Sequence, residues 1–246
     1  MAAKTTGETM KQRSKRYRAL IDQAQKAGID LAAPQPVPAA VGLVKQMAKA
    51  KFTEAVDIAI HLNLDTKKAD QQFRGNFSLP HGTGRTVRVI AFVDDGDKIN
   101  AALANGAVKA GGETLVAEVE AGFMDFDVAV ATPKMMRFMA KLGKVLGPRG
   151  LMPSPKSGTV IDDIAKAVTE FKGGKIEYRS DSAGNVQVSV GNAGFEASKL
   201  SDNIQAFLTH VAEHRPASVK GEFIKNVVVS STMGPSVKVL FAAKEA

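Results

Sequence analysis

Lys134, Arg137, Lys141 and Lys144 recur at spacings of three, four and three, which puts four cations on one helix face. Arg149 and Lys156 extend the row, and no acid interrupts residues 134–156. Cations gathered this way can bind phosphate. Either a solvated face or a polyanion contact accounts for them, and like charges in a row cost stability. A second group is Lys51-Phe52-Thr53-Glu54. An aromatic beside a lysine can stack on a base while the lysine meets phosphate, or the ring can anchor a core. A third is Ser230-Ser231-Thr232-Met233-Gly234-Pro235. Its hydroxyls can donate to phosphate or to a 2′-OH, and glycine permits close backbone approach, although the segment also reads as a plain polar turn.

Catalytic signatures are missing. No G-x-x-x-x-G-K-[ST] phosphate loop and no G-x-S-x-G elbow occurs. Gly82-Thr83-Gly84 lacks the third glycine of a dinucleotide fingerprint, and Asp94-Asp95-x-Asp97 reads as a turn and helix cap. There is no Cys, which excludes thiolate sites and suits a reducing cytoplasm. His61, His81, His210 and His214 are scattered; the last two have helical spacing but too few co-ligands for zinc, and read as a solvated helix face. No cofactor or metal is expected. No apolar run reaches membrane length, so no membrane partner is expected either.

Lys+Arg total 33 against 25 Asp+Glu in 246 residues, a net charge of +8. That surplus favours an acidic polymer as partner. Lys11, Arg13, Lys15, Arg16 and Arg18 crowd the start, as a solvated helix or a phosphate-touching arm.

The elements that position these groups follow from periodicity. Residues 10–27 read as a helix, 32–38 as a Pro-rich extended linker and 41–50 as a short helix. Val56, Ile58, Ile60, Leu62 and Leu64 alternate with polar or small residues, a strand with one buried face. Residues 86–93, 115–119 and 126–131 read as strands, with helices at 98–110 and 133–142. That alternation predicts a small parallel sheet covered on both faces. Four Gly, three Pro and four cations in residues 141–160 predict a stiff extended connector between domains. A helix follows at 161–171. Strands at 175–179 and 186–190 form a hairpin around 183–185. A helix at 200–213 precedes strands at 226–230 and 237–241.

The strand at 56–64 finds its partners only after residue 160. The fold class is therefore α/β: a discontinuous α+β domain with an antiparallel-rich sheet (1–67 and 161–246), and an inserted three-layer, Rossmann-like α/β domain (68–160).

Leu146-Gly147-Pro148-Arg149-Gly150-Leu151-Met152-Pro153, with Pro155-Lys156 and Gly158-Thr159-Val160, resembles the signature of the ribosomal protein "L-one" family. Lys51-Phe52, Leu79-Pro80-His81-Gly82-Thr83-Gly84-Arg85, Met124-Asp125-Phe126-Asp127 and Thr232-Met233-Gly234 are similar to that family in order and spacing. The resemblance covers nearly all the chain from about residue 40.

It implies a structural constituent of the large ribosomal subunit, monomeric when free, cytoplasmic and ribosome-associated, and not an enzyme. It implies binding to stalk-region large-subunit rRNA beside the tRNA exit site, with help in releasing deacylated tRNA. Repression of the protein's own operon mRNA is implied as well. RNA contacts carry over to Lys51, Phe52, Lys68, Arg179, Asp181, Ser231, Thr232, Met233 and Gly234. Lys141, Lys144, Arg149 and Lys156 are candidates for tRNA or hinge contacts. Ser182, Gln187 and Asn192 depart from the family's Lys, His and Lys, removing positive or donor groups near the RNA face. The competing reading is an α/β enzyme with an interdomain small-molecule site; another is a basic chaperone or regulator acting off the ribosome.

Overall fold

The computed structural model describes residues 14–66, 68–216 and 218–241, with backbone only at Ala69 and Lys156. Lys11 and Arg13 lie outside these residues.

Strand β1 (Ala55–Leu62) is the centre of an antiparallel sheet. It pairs with β7 (Asn185–Asn192) on one side and β8 (Ile224–Ser231) on the other, and β9 (Ser236–Lys238) closes the order β7-β1-β8-β9. Ile58 lies between Val188 and Val229 in the ladders. Period-two alternation turns Val56, Ile58, Ile60 and Leu62 into the core. Helices α2 (Val37–Met47) and α8 (Ala197–Glu213) cover that face with Val41, Val44, Ile204 and Phe207. The Pro-rich stretch expected to be extended as far as residue 38 already turns helical at Val37. Proline is tolerated in a first helical turn, where its missing N–H has no partner to lose. Helix α1 (Lys15–Lys26) starts at Ser14, whose hydroxyl accepts from Tyr17 N–H, and adds Leu20 to the core.

Strand β2 (Arg74–Ser78) pairs antiparallel with β6 (Lys175–Arg179), from Arg74↔Arg179 to Ser78↔Lys175. The hairpin expected between residues 175–179 and 186–190 is therefore not a ladder. The turn exists, but β6 keeps β2 as partner, and only Ser180↔Val186 bridges towards β7. This two-stranded ribbon carries both passages of the chain towards the parallel sheet.

That sheet is β4-β3-β5: β3 (Val89–Phe92), β4 (Lys109–Gly111) and β5 (Val128–Ala131). One face packs on α3 (Gly96–Ala104) and α7 (Ile164–Lys172); the other packs on α4 (Glu113–Glu120) and a run of helical turns over residues 133–146 that includes α5 (Met136–Met139) and α6 (Gly143–Leu146). The stretch 115–119, expected as a strand, is α4: Gly112 stands at its N-cap, and Leu115, Val116 and Val119 share a buried helical face. The helix expected over 98–110 ends at Ala104, which frees Lys109–Gly111 for the sheet edge.

Helix α7 is capped by Asp163, which accepts from Lys166 N–H at 3.2 Å. Expected to pack with the antiparallel sheet, it buries Ile164, Val168 and Phe171 on the parallel one. The Gly/Pro connector is likewise not an extended crossing. Leu146 is in the core, Ser154 and Thr159 close a loop, and Val160 pairs with Ala131.

Candidate nucleic-acid interface

Glu54 organises one end of β1. It is 1% exposed. Its Oε1 accepts from Ala50 N–H at 2.8 Å and from the Arg16 guanidinium at 3.1 Å, and its Oε2 accepts from Met233 N–H at 3.0 Å. Burial pushes this carboxyl up, but the Ser231 hydroxyl, the Ala50 and Met233 N–H groups and the Arg16 charge together hold it below its ordinary value. The Ser231 Oγ lies close by, 3% exposed as a residue, yet completes no hydrogen bond of good geometry. Thr232 adds a further tie: its hydroxyl accepts from Ala55 N–H at 2.9 Å, and its N–H donates to Ala55 O at 3.0 Å.

These bonds bring the second and third sequence groups to one corner. Phe52 is 54% exposed and Met233 52% exposed, so Phe52 is no core anchor. Lys51 and Thr232 are exposed beside them. The turn closes with Gly234 N–H donating to Ser231 O at 3.1 Å. A Cβ at Gly234 would collide with Ser231 Oγ, so a side chain there must displace the buried hydroxyl.

Lys68, Arg179 and Asp181 are not at this corner. They lie beyond the opposite end of β1, about 23 Å along an eight-residue strand. Asp181 holds a turn: its carboxylate accepts from Ala183 N–H and Asn185 N–H, both at 2.8 Å, and from Asn185 Nδ2 at 3.0 Å. Those bonds, with the Asn185 N–H foremost, keep its carboxyl below the ordinary value. Lys68 pairs with Asp65 at 3.7 Å, and Arg179 is exposed. The uncovered sheet face joins the two ends through Asp57, Ser189 and Ser230 to His61, whose Nδ1 meets Asn185 Oδ1 at 2.8 Å.

The basic row is a separate surface. Lys134, Arg137, Lys141, Lys144 and Arg149 are exposed, and none has a carboxylate within ion-pair distance among the described residues. Behind the row, Met135, Met139 and Leu142 are buried, whereas Phe138 is 37% exposed. Gln187 is exposed, the Ser182 carbonyl accepts from the Thr66 hydroxyl at 2.8 Å, and Asn192 Nδ2 donates to Gly84 O at 3.1 Å.

Two arrangements were invisible in the sequence. Asn203, fully buried, donates to Gly82 O and Val190 O and accepts from His81 N–H, while His81 Nε2 meets Asp202 at 3.1 Å. His210, expected on a solvated face, packs between Phe77 and Tyr178, with Tyr178 OH 3.0 Å from its Nε2. Helical spacing placed both side chains on α8 but said nothing of partners so far away in the chain.

No group of three His, Cys, Asp or Glu suited to a metal occurs among the described residues, and no helix among them is long and apolar enough to cross a membrane. The corner gathers exposed aromatic, thioether, hydroxyl and lysine groups on a basic chain. The chain belongs to the ribosomal protein L1p/L10e family, whose profile matches residues 44–235. It is 47% identical over 234 residues to the large ribosomal subunit protein uL1 of Thermosipho melanesiensis, covering 94% of this chain and 97% of that one. Its identity to the uL1 protein of Fervidobacterium nodosum is 49%, covering 93% and 95%. For Streptococcus pyogenes uL1 the figures are 48%, 94% and 98%. Members of this family are ribosomal proteins, structural components rather than enzymes.

Proposed function

We propose that this protein is a constituent of the large ribosomal subunit that binds stalk-region rRNA beside the tRNA exit site. Phe52 stacks on a base, Lys51 meets phosphate, and the Thr232–Gly234 turn lies against the sugar–phosphate chain. The observation that carries this reading is the Glu54 bridge, which holds Phe52 and Met233 exposed on one corner. The uncovered sheet face extends the contact to Lys68 and Arg179, and Asp181 shapes the turn beside them.

The same reading divides the chain into an RNA-binding domain of residues 14–78 and 175–241, and an inserted domain of residues 79–174. The inserted domain presents Lys141, Lys144 and Arg149 to exit-site tRNA and assists its release when deacylated. The protein is cytoplasmic. It also represses its own operon mRNA through the rRNA-binding corner, where Asn192, opposite Ala55 in the ladder, is engaged with Gly84.

Titration of a stalk-region rRNA fragment tests the proposal. Affinity should fall roughly tenfold or more from low to moderate salt, as phosphate contacts release counterions. Phe52→Ala should weaken binding about tenfold with an unchanged melting temperature, the loss of one stacked base. Salt-independent affinity, or equal affinity for an unrelated hairpin, would overturn it.

A further inference from the structure

We propose that the cleft between α1 and the β8–β9 edge is a nucleotide pocket that takes an unpaired base of the RNA bound at the Phe52–Met233 corner. This rests on the function proposed above. The cleft encloses about 740 Å³, within the range of small-molecule sites, and is walled by Tyr17, Ile21, Leu31, Val228, Asn226 and Lys238.

Three observations point to a nucleotide. First, Asn226 Oδ1 is buried with no hydrogen-bond partner. An orphaned amide oxygen asks for a donor, and an amide offers the donor–acceptor pair that a base edge matches. Second, Lys238 is half-buried at the cleft with no carboxylate in ion-pair range among the described residues, so a phosphate is its natural counterion. The one acid on the wall, Asp30, is exposed and caps its own turn, its Oδ1 accepting from Ala32 N–H at 2.9 Å. Third, the cleft adjoins the RNA corner along two elements. Arg16 binds Glu54 while Tyr17, the next residue, lines the cleft; Gly234 closes the corner turn while Pro235 and Ser236 line the cleft. A strand held at the corner therefore has its neighbouring nucleotide at the mouth of the cleft. Tyr17, Ile21 and Val228 supply the apolar surface a base packs against.

The chain has two tyrosines and no tryptophan, so Tyr178→Phe leaves Tyr17 as the sole strong fluorophore. Adenosine, guanosine, cytidine and uridine monophosphates should each be titrated in turn. At least one should quench Tyr17 saturably. In wild-type protein the same nucleotide should shift the Asn226 side-chain amide resonance, a readout that does not depend on the tyrosine variant. Asn226→Leu should weaken that binding roughly tenfold and lower stalk-RNA affinity severalfold, whereas Phe52→Ala should spare the mononucleotide. Full RNA affinity in Asn226→Leu, with no mononucleotide response in wild type, overturns the pocket and leaves the corner standing. Mononucleotide binding without RNA binding overturns the corner and supports the pocket. An equal response to inorganic phosphate would reduce the cleft to an anion site and overturn base recognition.

Discussion

Met233 N–H donates to Glu54 Oε2 at 3.0 Å, across 179 positions of sequence. One carboxylate thus joins the turn after β8 to the chain before β1, and Arg16 and Ala50 share its other oxygen. The corner is held by a buried acid rather than by apolar packing, so removing the acid should affect stability and binding together.

Glu54→Ala should therefore lower stability by roughly 2–4 kcal/mol, because two backbone donors and a guanidinium lose their acceptor. Phe52 and Met233 should also lose their common placement, and RNA affinity should fall. Denaturant unfolding with RNA titration on the same protein checks both. The Glu54 pKa is depressed in the fold, so its contribution is present above the ordinary carboxyl value of about 4.5 and is lost as pH falls through the lower folded value. Glu54→Gln should flatten that acid limb.

Gly234→Ala should destabilise the turn by about 1 kcal/mol, since the new methyl meets Ser231 Oγ. Gly234→Ala combined with Ser231→Ala should recover most of the loss, because the offending oxygen is gone. The four proteins form a cycle readable from melting temperatures. Additive effects would show that the hydroxyl is not what excludes a side chain here.

Gly174→Ala should cost more. Gly174 has φ of 105°, and a Cβ there would run into the Cα of Gly82, itself at φ 64°. Backbone cannot yield as a side chain does, so the two passages of chain must separate. A loss of about 2 kcal/mol or more is expected, with release of His81 and Gly82 from Asn203. Amide exchange at His81, whose N–H donates to Asn203 Oδ1 at 3.0 Å, reports that release directly.

His210 should make the ribbon acid-sensitive. Burial, then the charge of His214, holds its pKa below the ordinary value, while Glu213 acts weakly the other way. The folded state favours the neutral ring. Its stabilisation is thus full above about pH 6.5 and is lost as pH falls through the lowered value. The melting temperature should drop between neutral and mildly acidic pH, and His210→Gln should remove that part of the drop.

The legible and illegible parts of the chain divide by the range of their causes. The alternation from Val56 to Leu62 announces a half-buried strand because side-chain direction is a local property. Asp163 announces the start of α7 for the same reason. Residues 115–119 mislead because a short apolar run suits either a strand or a helix, and the deciding residue, Gly112, lies outside it. The partner of β6 stands about a hundred positions earlier, so its own residues say nothing of β2. The corner around Glu54 was half visible. Phe52 and Thr232–Gly234 stand out by type, but Glu54 draws its meaning from Arg16, Ala50 and Met233, which no local pattern connects.

Ser78 and Lys175 are the last rungs of the β2–β6 ladder, side by side where the chain departs and returns. Ninety-odd intervening residues are therefore topologically an appendix. A tight turn joining Ser78 to Lys175 would complete a hairpin and leave the antiparallel core with every strand neighbour it now has. Excision and regrafting at that seam are open to evolution and to the bench alike, without rewiring the antiparallel sheet.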